Sequence, residues 1–289
     1  MFIHQLRNAT LLLTLGEHRL LVDPMLAARG AMPGFKLFGG GRRPNPLVDL
    51  PPGAHEVIEA ASAVLLTHEH PDHFDAAALS WVRERRLPVW ANATDAKHLS
   101  ARGLDVHELR DGALGMSVEV IPSRHGRGPL GWLMGPVAGY YLAHPGEPSV
   151  YLTGDAVLTE TVLEAVERLR PDVIVAPAGS ANVGLGGDIL FSGDELVELA
   201  RRASGQLVLN HLEALDHCPT TRAGLRARLD AEGLSDRVHV PEDGERIAFE
   251  AASAGGRRAV TPVDRASPPG LQKWLTGHFA MDRPRSPPL

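Results

Sequence analysis

One heptapeptide constrains this chain more than any other feature: Thr67-His68-Glu69-His70-Pro71-Asp72-His73, an H-x-H-x-D-H pattern. It follows an apolar run, Ala63-Val64-Leu65-Leu66, which predicts a buried strand. It precedes Asp75-Ala76-Ala77-Ala78-Leu79-Ser80-Trp81-Val82, which reads as a helix start. Four metal-capable side chains therefore sit on a strand-to-helix turn, where layered α/β proteins gather their sites. Imidazole and carboxylate suit zinc and other first-row divalent ions. The spacing is too tight for a helical H-E-x-x-H arrangement, which sets two ligands one turn apart. His68 and His70, two apart at a strand end, can instead converge on one ion, and Asp72 and His73, beyond the Pro71 turn, can point to a second. The positive end of the following helix favours carboxylate, hydroxide or an anionic substrate there.

The rest of the chain alternates in a way that suits such a site. Residues 9–15 and 19–23 read as a hairpin around Gly16-Glu17, ending in Val22-Asp23-Pro24. Residues 27–53, rich in Gly and Pro with Phe35, Leu37 and Phe38 among them, read either as a surface loop or as a mobile flap over a site. Helices follow at 75–86, at 95–102 before Gly103, at 159–170 before Pro171, from the Ser192–Glu195 capping box to 203, and at 221–232 before Gly233. Strands are expected at 87–91, 117–122, 137–143, 149–153, 173–176 and 206–210. Residues 1–250 read as the folded domain. The Pro/Arg/Gly/Ser-rich segment 251–289 reads as a tail with one short helix at Leu271–Phe279.

Composition narrows the classes. At 289 residues, 44% hydrophobic and 22% charged, the chain can bury a large core. A net charge of −6 argues against nucleic acid as the main partner. Cys218 is the one cysteine, so no internal disulfide forms and a reducing compartment is expected. Met1–Arg7 lacks the pattern of an export signal, and no apolar run is long enough to span a bilayer. The expected address is the cytoplasm, with no membrane contact. Self-association stays open.

Three more metal-capable residues stand just past expected strands: His125, Asp155 and His211. Asp23 does the same after the hairpin. Together they repeat one rule, an apolar strand followed by a ligand at its exit. With these in order behind His68-x-His70-x-Asp72-His73, residues 1–250 resemble the metallo-β-lactamase superfamily, and Asp23 in Val-Asp-Pro resembles its first structural motif. The run Asn210-His211-Leu212-Glu213-Ala214-Leu215-Asp216-His217-Cys218 looks like the ascorbate-6-phosphate lactonase-like branch. The resemblance implies an α/β (α+β) fold, a four-layer αββα sandwich with the site between the edges of two sheets. It implies His68, His70 and His125 on one metal, Asp72, His73 and His211 on the other, and Asp155 bridging. Two divalent cations, zinc or manganese with iron as a third candidate, would then activate a bridging hydroxide. Asp72 and Asp155 would be the catalytic carboxylates, with Asp72 orienting the water and helping to move its proton.

Arg124 and Arg127 flank His125 and could hold a phosphate or carboxylate, as could Arg222. His217 is a candidate substrate contact. Cys218 reads as a small buried hydrophobe. The leading expectation is hydrolysis of a small anionic molecule, a lactone or sugar-phosphate-like ester. The alternatives are a phosphodiesterase or RNA-processing nuclease, a thioesterase of the glyoxalase II type, and a non-catalytic metal-bound scaffold.

Overall fold

Strand β2 (Thr10–Leu15) turns Leu11, Leu13 and Leu15 to one face and Leu12 to the other, the two-residue alternation of an extended chain. The first three meet a second sheet, while Leu12 meets a helix. The same division recurs in β3 (His18–Val22) and β4 (Ala63–Leu66): Leu20, Val22 and Leu65 point inward, Leu21, Val64 and Leu66 outward. In β10 (Val173–Pro177) and β11 (Gln206–Asn210), Val173, Val175 and Val208 face inward, Ile174, Leu207 and Leu209 outward. Strands covered on both faces read as continuous apolar runs, which is why these segments show no polar alternation. Each fully buried Leu or Val contributes roughly 1.5–3 kcal/mol.

The computed structural model describes residues 1–184, 186–251 and 260–262. It has the expected four layers. The first sheet holds β1 (Phe2–Arg7), β2, β3, β4, β5 (Val89–Ala91) and β6 (Val106–Glu108), with β13 (Arg246–Phe249) and β14 (Val260–Pro262) beyond β1. The second runs β12-β11-β10-β9-β8-β7, with β7 (Ser117–Arg124), β8 (Pro136–Ala143), β9 (Val150–Leu152) and β12 (Val238–His239). Helices α1 (Ala54–Glu59), α2 (Ala76–Arg85) and α3 (Ala93–Ala101) cover the outer face of the first sheet through Ile58, Val82 and Leu99. Helices α5 (Glu160–Leu169), α6 (Gly193–Arg202) and α7 (Arg222–Ala231) cover the second through Val162, Leu196 and Leu225. No helix among the described residues is long and apolar enough to cross a membrane.

The strand senses position the site. β3 to β6 are parallel, as are β9 to β12, so helical crossovers return each strand's C-terminal end to the same edge of its sheet. β7 and β9 both run antiparallel to β8, so β7 ends at that edge too. Helix starts are locked locally: Asp75 accepts the Ala78 N–H at 2.8 Å, and Ser192 and Glu195 form the expected capping box.

Several elements were not anticipated. β1, α1, β6, β12 and β13 are none longer than six residues, and β1 and β13 pair with each other from opposite ends of the domain. α4 (Gly128–Met134) contains Gly128, Pro129 and Gly131, residues of poor helix propensity, and forms at the rim. β14 adds an edge strand within the segment read as a tail, and the helix expected at Leu271–Phe279 lies outside the described residues.

The 27–53 segment is bound to the body of the protein. Met32 and Asn45 exchange backbone hydrogen bonds at 2.7 and 2.8 Å. The Asp216 carboxylate accepts from the backbone of Phe35 (2.9 Å) and Arg43 (3.1 Å) and from the Asn45 side chain (3.0 Å). Leu37 and Phe38 donate to the Val183 carbonyl at 3.1 and 3.0 Å. Fully buried Arg7 holds the stem through the carbonyls of Met25, Ala27 and Val48.

Candidate metal centre

Each expected ligand leaves the C-terminal end of a strand at one rim. His68, His70, Asp72 and His73 follow β4, His125 follows β7, Asp155 follows β9 and His211 follows β11. The turn after β4 closes on itself, with the His73 and Phe74 N–H groups donating to the His70 carbonyl at 2.9 and 2.8 Å. Gly154 has φ +61°, and a Cβ there would stand 2.8 Å from the Ala138 carbonyl, so glycine lets Asp155 reach the rim. His211 itself has φ +59°, a strained conformation for a side-chain-bearing residue, of the kind found at functional sites.

The side chains gather in two groups. His68, His70 and His125 form one, and Asp72, His73, Asp155 and His211 the other, with the ligand atoms of each group within 4.8 Å of one another. His68 Nε2 and His70 Nδ1 are 3.0 Å apart. Asp155 Oδ2 joins the groups: it lies 3.2 Å from His73 Nε2, 3.6 Å from His211 Nε2 and 3.3 Å from His125 Nε2. Asp72 Oδ2 is 3.4 Å from His211 Nε2. All seven sequence-expected ligands are therefore in one place, and apart from His70 all are buried.

A surrounding set of polar groups aims the rings. Asp23 accepts the Thr67 N–H at 2.8 Å and the Thr67 hydroxyl at 2.7 Å, and faces His73 Nδ1 at 3.0 Å. The Thr67 hydroxyl is 3.1 Å from His68 Nδ1, the Ile189 carbonyl 2.8 Å from His125 Nδ1, and Cys218 Sγ 3.5 Å from His211 Nδ1. Asn8, in the β1–β2 turn, donates to the Asp72 carbonyl at 3.1 Å and accepts the His211 N–H at 3.0 Å, tying two ligand loops together. Of these, the sequence pointed to Asp23. The others have no local signature.

The donors fit divalent cations. His73 Nε2 and His211 Nε2 are buried without a hydrogen-bond partner, although carboxylate oxygens stand within 3.2–3.6 Å. Nitrogens and oxygens so placed are close enough to share a cation. Burial opposes a charge on His73, yet Asp155, Asp23 and Asp72 push its pKa up to about 10. Burial also opposes a charge on His211, and Asp155 still holds it well above the imidazole range. Burial would raise Asp72 and Asp155, but His73 and His211 keep both well below the usual carboxylate range. Burial lowers His68 and His125, which are neutral. The carboxylates thus draw positive charge to their centre, and a divalent cation can supply it in place of protons.

Two outcomes follow. At pH 7–8 cation binding should release protons from His73 and His211, and affinity should fall as pH falls. Calorimetry in buffers of different ionisation enthalpy measures this, and a binding heat independent of buffer would contradict it. Asp23→Asn keeps the shape but removes the charge behind His73, and should weaken cation affinity about 10–100-fold. Equilibrium dialysis checks it.

The candidate substrate contacts divide. His217 is buried, its ring 5.5 Å edge-on from Phe35, near the charges of Asp72 and His211. Arg127 donates to the Leu158 carbonyl at 2.7 Å and pairs with Glu195 at 2.5 Å. Arg222 is paired as well. Its buried guanidinium joins Glu213 (2.8 Å), Asp243 (2.5 Å) and the Pro241 carbonyl (2.8 Å), and so fastens α7 to the β12–β13 connection. Arg124 lines an outer groove with Arg127, Thr159, Glu160 and Glu195. Acidic partners hold two of these arginines, Glu195 for Arg127 and Glu213 with Asp243 for Arg222.

Comparison with known proteins bears on the same residues. Residues 18–211 match the family model of the β-lactamase superfamily domain. The UPF0173 protein YddR of Bacillus subtilis strain 168 is 31% identical over 254 residues, covering 86% of this chain and 100% of that protein. A UPF0173 metal-dependent hydrolase of Azorhizobium caulinodans is 29% identical over 205 residues, 66% of this chain and 83% of its own length. Among solved structures, isothiocyanate hydrolase from Delia radicum gut bacteria matches with TM-score 0.80 and 31% identity, covering 87% of this chain and 100% of that one. A protein described as a possible metal-dependent hydrolase from Veillonella parvula matches with TM-score 0.79 and 28% identity, over 85% and 98%. A family match that runs from β3 to His211, and a relative aligned over its whole length, show that this chain belongs to the β-lactamase superfamily and is a metal-dependent hydrolase of the metallo-β-lactamase fold.

Proposed function

We propose that this protein hydrolyses a small electrophile carrying an apolar substituent, such as an isothiocyanate or an apolar lactone or ester, at a centre of two divalent cations. His68, His70 and His125 would hold one cation and Asp72, His73 and His211 the other, with Asp155 shared. Support for the sharing is that Asp155 Oδ2 lies 3.2–3.6 Å from histidines of both groups. Zinc, manganese and iron all accept this donor set. When bound, such ions lower the pKa of water toward 7 and polarise the electrophile.

The chain's own residues supply the rest. Asp155 and Asp72 are ionised and fix the negative charge of the centre. Asp72 turns Oδ2 to His211, which leaves Oδ1 to accept a proton from the attacking water. Ile189, Asp23 and Thr67 hold the imidazoles in register.

The observation that carries the substrate class is an apolar rim. Phe35, Leu130, Met134 and Val183 pack on Ile189, Leu215 and Cys218. That cluster adjoins the centre directly, since the Ile189 carbonyl meets His125 and the Cys218 thiol meets His211. Leu37, Phe38, Trp132 and Leu133 extend the rim outward, each more than half exposed. Trp132 is 85% exposed, a cost in water that an apolar ligand would relieve. Two of the arginines that could have met an anion, Arg127 and Arg222, are paired elsewhere. The solved relative named for isothiocyanate hydrolysis supports the same class. Water adds to the central carbon of R–N=C=S, and the adduct separates into amine and carbonyl sulfide. The sugar-phosphate-like reading rests on the ligand set, the acidic chain and the Asn210–Cys218 run, and this apolar rim does not favour it.

The test is turnover by metal-loaded protein of an alkyl and an aryl isothiocyanate, an apolar and a phosphorylated lactone, a thioester, and bis(p-nitrophenyl) phosphate, with Asp155→Ala as blank. Turnover of the isothiocyanates or the apolar lactone supports the proposal. Turnover of the phosphorylated lactone alone would restore the anionic substrate. Phosphodiester turnover alone would indicate a nuclease or phosphodiesterase. Full metal with no turnover would favour a binding scaffold.

A further inference from the structure

We infer that Cys218 is the positioning residue of His211, its buried thiol fixing the tautomer and direction of that imidazole toward Asp72 and Asp155. This rests on the two-cation reading above.

Four of the ring histidines have their Nδ1 atoms tethered, and by unlike groups. His68 meets the Thr67 hydroxyl, His73 the Asp23 carboxylate, His125 the Ile189 carbonyl, and His211 the Cys218 thiol, with Sγ 3.5 Å from Nδ1. A neutral imidazole has one N–H donor and one bare acceptor nitrogen. For His211 Nε2 to offer a lone pair, the proton must reside on Nδ1, which then donates its hydrogen bond to Cys218 Sγ. Nε2 then faces Asp72 Oδ2 at 3.4 Å and Asp155 Oδ2 at 3.6 Å. Nε2 is buried and has no other hydrogen-bond partner among the described residues.

The surroundings are shaped for this contact. His211 is fully buried and Cys218 is 8% exposed, so water does not compete for Nδ1. Cys218 is fixed from behind, its N–H donating to the Leu215 carbonyl at 3.2 Å. Gly179 lies against both partners: a Cβ there would stand 2.9 Å from Sγ and 2.4 Å from the His211 carbonyl. The strained backbone of His211, at φ +59°, makes a tether on its ring more useful, because the backbone alone does not favour this pose. The thiol aligns the ring without adding charge, whereas Asp23 adds a full carboxylate behind His73. One cation would therefore be held by two histidines of unequal basicity.

The experiment titrates the full-length protein with Co²⁺ against a competing chelator, and records the visible Co²⁺ bands. Cys218→Val keeps the volume and removes the acceptor, Cys218→Ala removes both, and Cys218→Ser keeps an acceptor. Val and Ala should weaken the second equivalent about 10–100-fold and shift the bands, while Ser should stay within a few-fold of the parent. Parent-like affinity and spectrum in the Val variant would overturn the inference. Should Val fail to fold, equal behaviour of Ala and Ser would overturn it as well. His211→Ala separates the two readings. A parent that binds fewer than two equivalents would sink the two-cation reading, whereas a His211→Ala variant that keeps both would overturn the inference alone, since the ring that the thiol aims would then hold no cation.

Discussion

Asp155→Ala should lower hydrolysis by about three orders of magnitude, roughly 4 kcal/mol of transition-state stabilisation, and should leave the protein short of metal. The reason is its place. One oxygen, Oδ2, stands within 3.2–3.6 Å of His73, His125 and His211, so a single truncation withdraws charge from both ligand groups. His211 would then face Asp72 alone, and His73 would keep Asp23 and Asp72. Asp155→Asn keeps the shape and should lose nearly as much, which separates charge from packing. Metal content and kcat/KM on whichever substrate turns over decide the matter. A variant with parental metal content and rate would remove Asp155 from the centre.

Removing the metal should cost the protein stability as well as activity. Asp23, Asp72 and Asp155 are each less than 10% exposed, and they converge on histidines that must otherwise carry protons. A ligand present at a thousand times its dissociation constant stabilises the folded state by about 4 kcal/mol. For a chain of this size that is about 8–16 °C in thermal midpoint. Exhaustive chelation should therefore lower the midpoint by about 10 °C and abolish turnover, and zinc or manganese should restore both. An unchanged midpoint with unchanged turnover would contradict a metal-dependent centre.

How legible the centre was depends on the kind of residue. His68, His70, Asp72 and His73 are adjacent in sequence, so their spacing could be read directly. His125, Asp155 and His211 were legible because each is an early metal-capable residue beyond an apolar strand, and parallel strands deliver their ends to one edge. The groups that orient them were not. Ile189 acts through its carbonyl, which any residue would carry, and Asn8 bridges Asp72 and His211 from a turn more than sixty residues from either. Cys218 read as a hydrophobe because a thiol announces no partner. The 27–53 segment looked unstructured because its anchor, Asp216, is more than 170 residues away from most of the groups it binds.

The sequence by itself determined the layers and the metal-binding chemistry. Two-residue alternation, continuous apolar strands, capped helices and ligand spacing are properties of short segments, and backbone sterics and solvent act on them locally. Only the tertiary structure decided which buried polar groups meet. It paired Arg127 and Arg222 with acidic side chains, brought Cys218 to His211, and packed Phe35, Leu130 and Met134 on the cluster of Ile189, Leu215 and Cys218. The physical reason is that a buried donor or acceptor pairs with whatever the fold places within about 3 Å, and that choice belongs to the packing of distant segments.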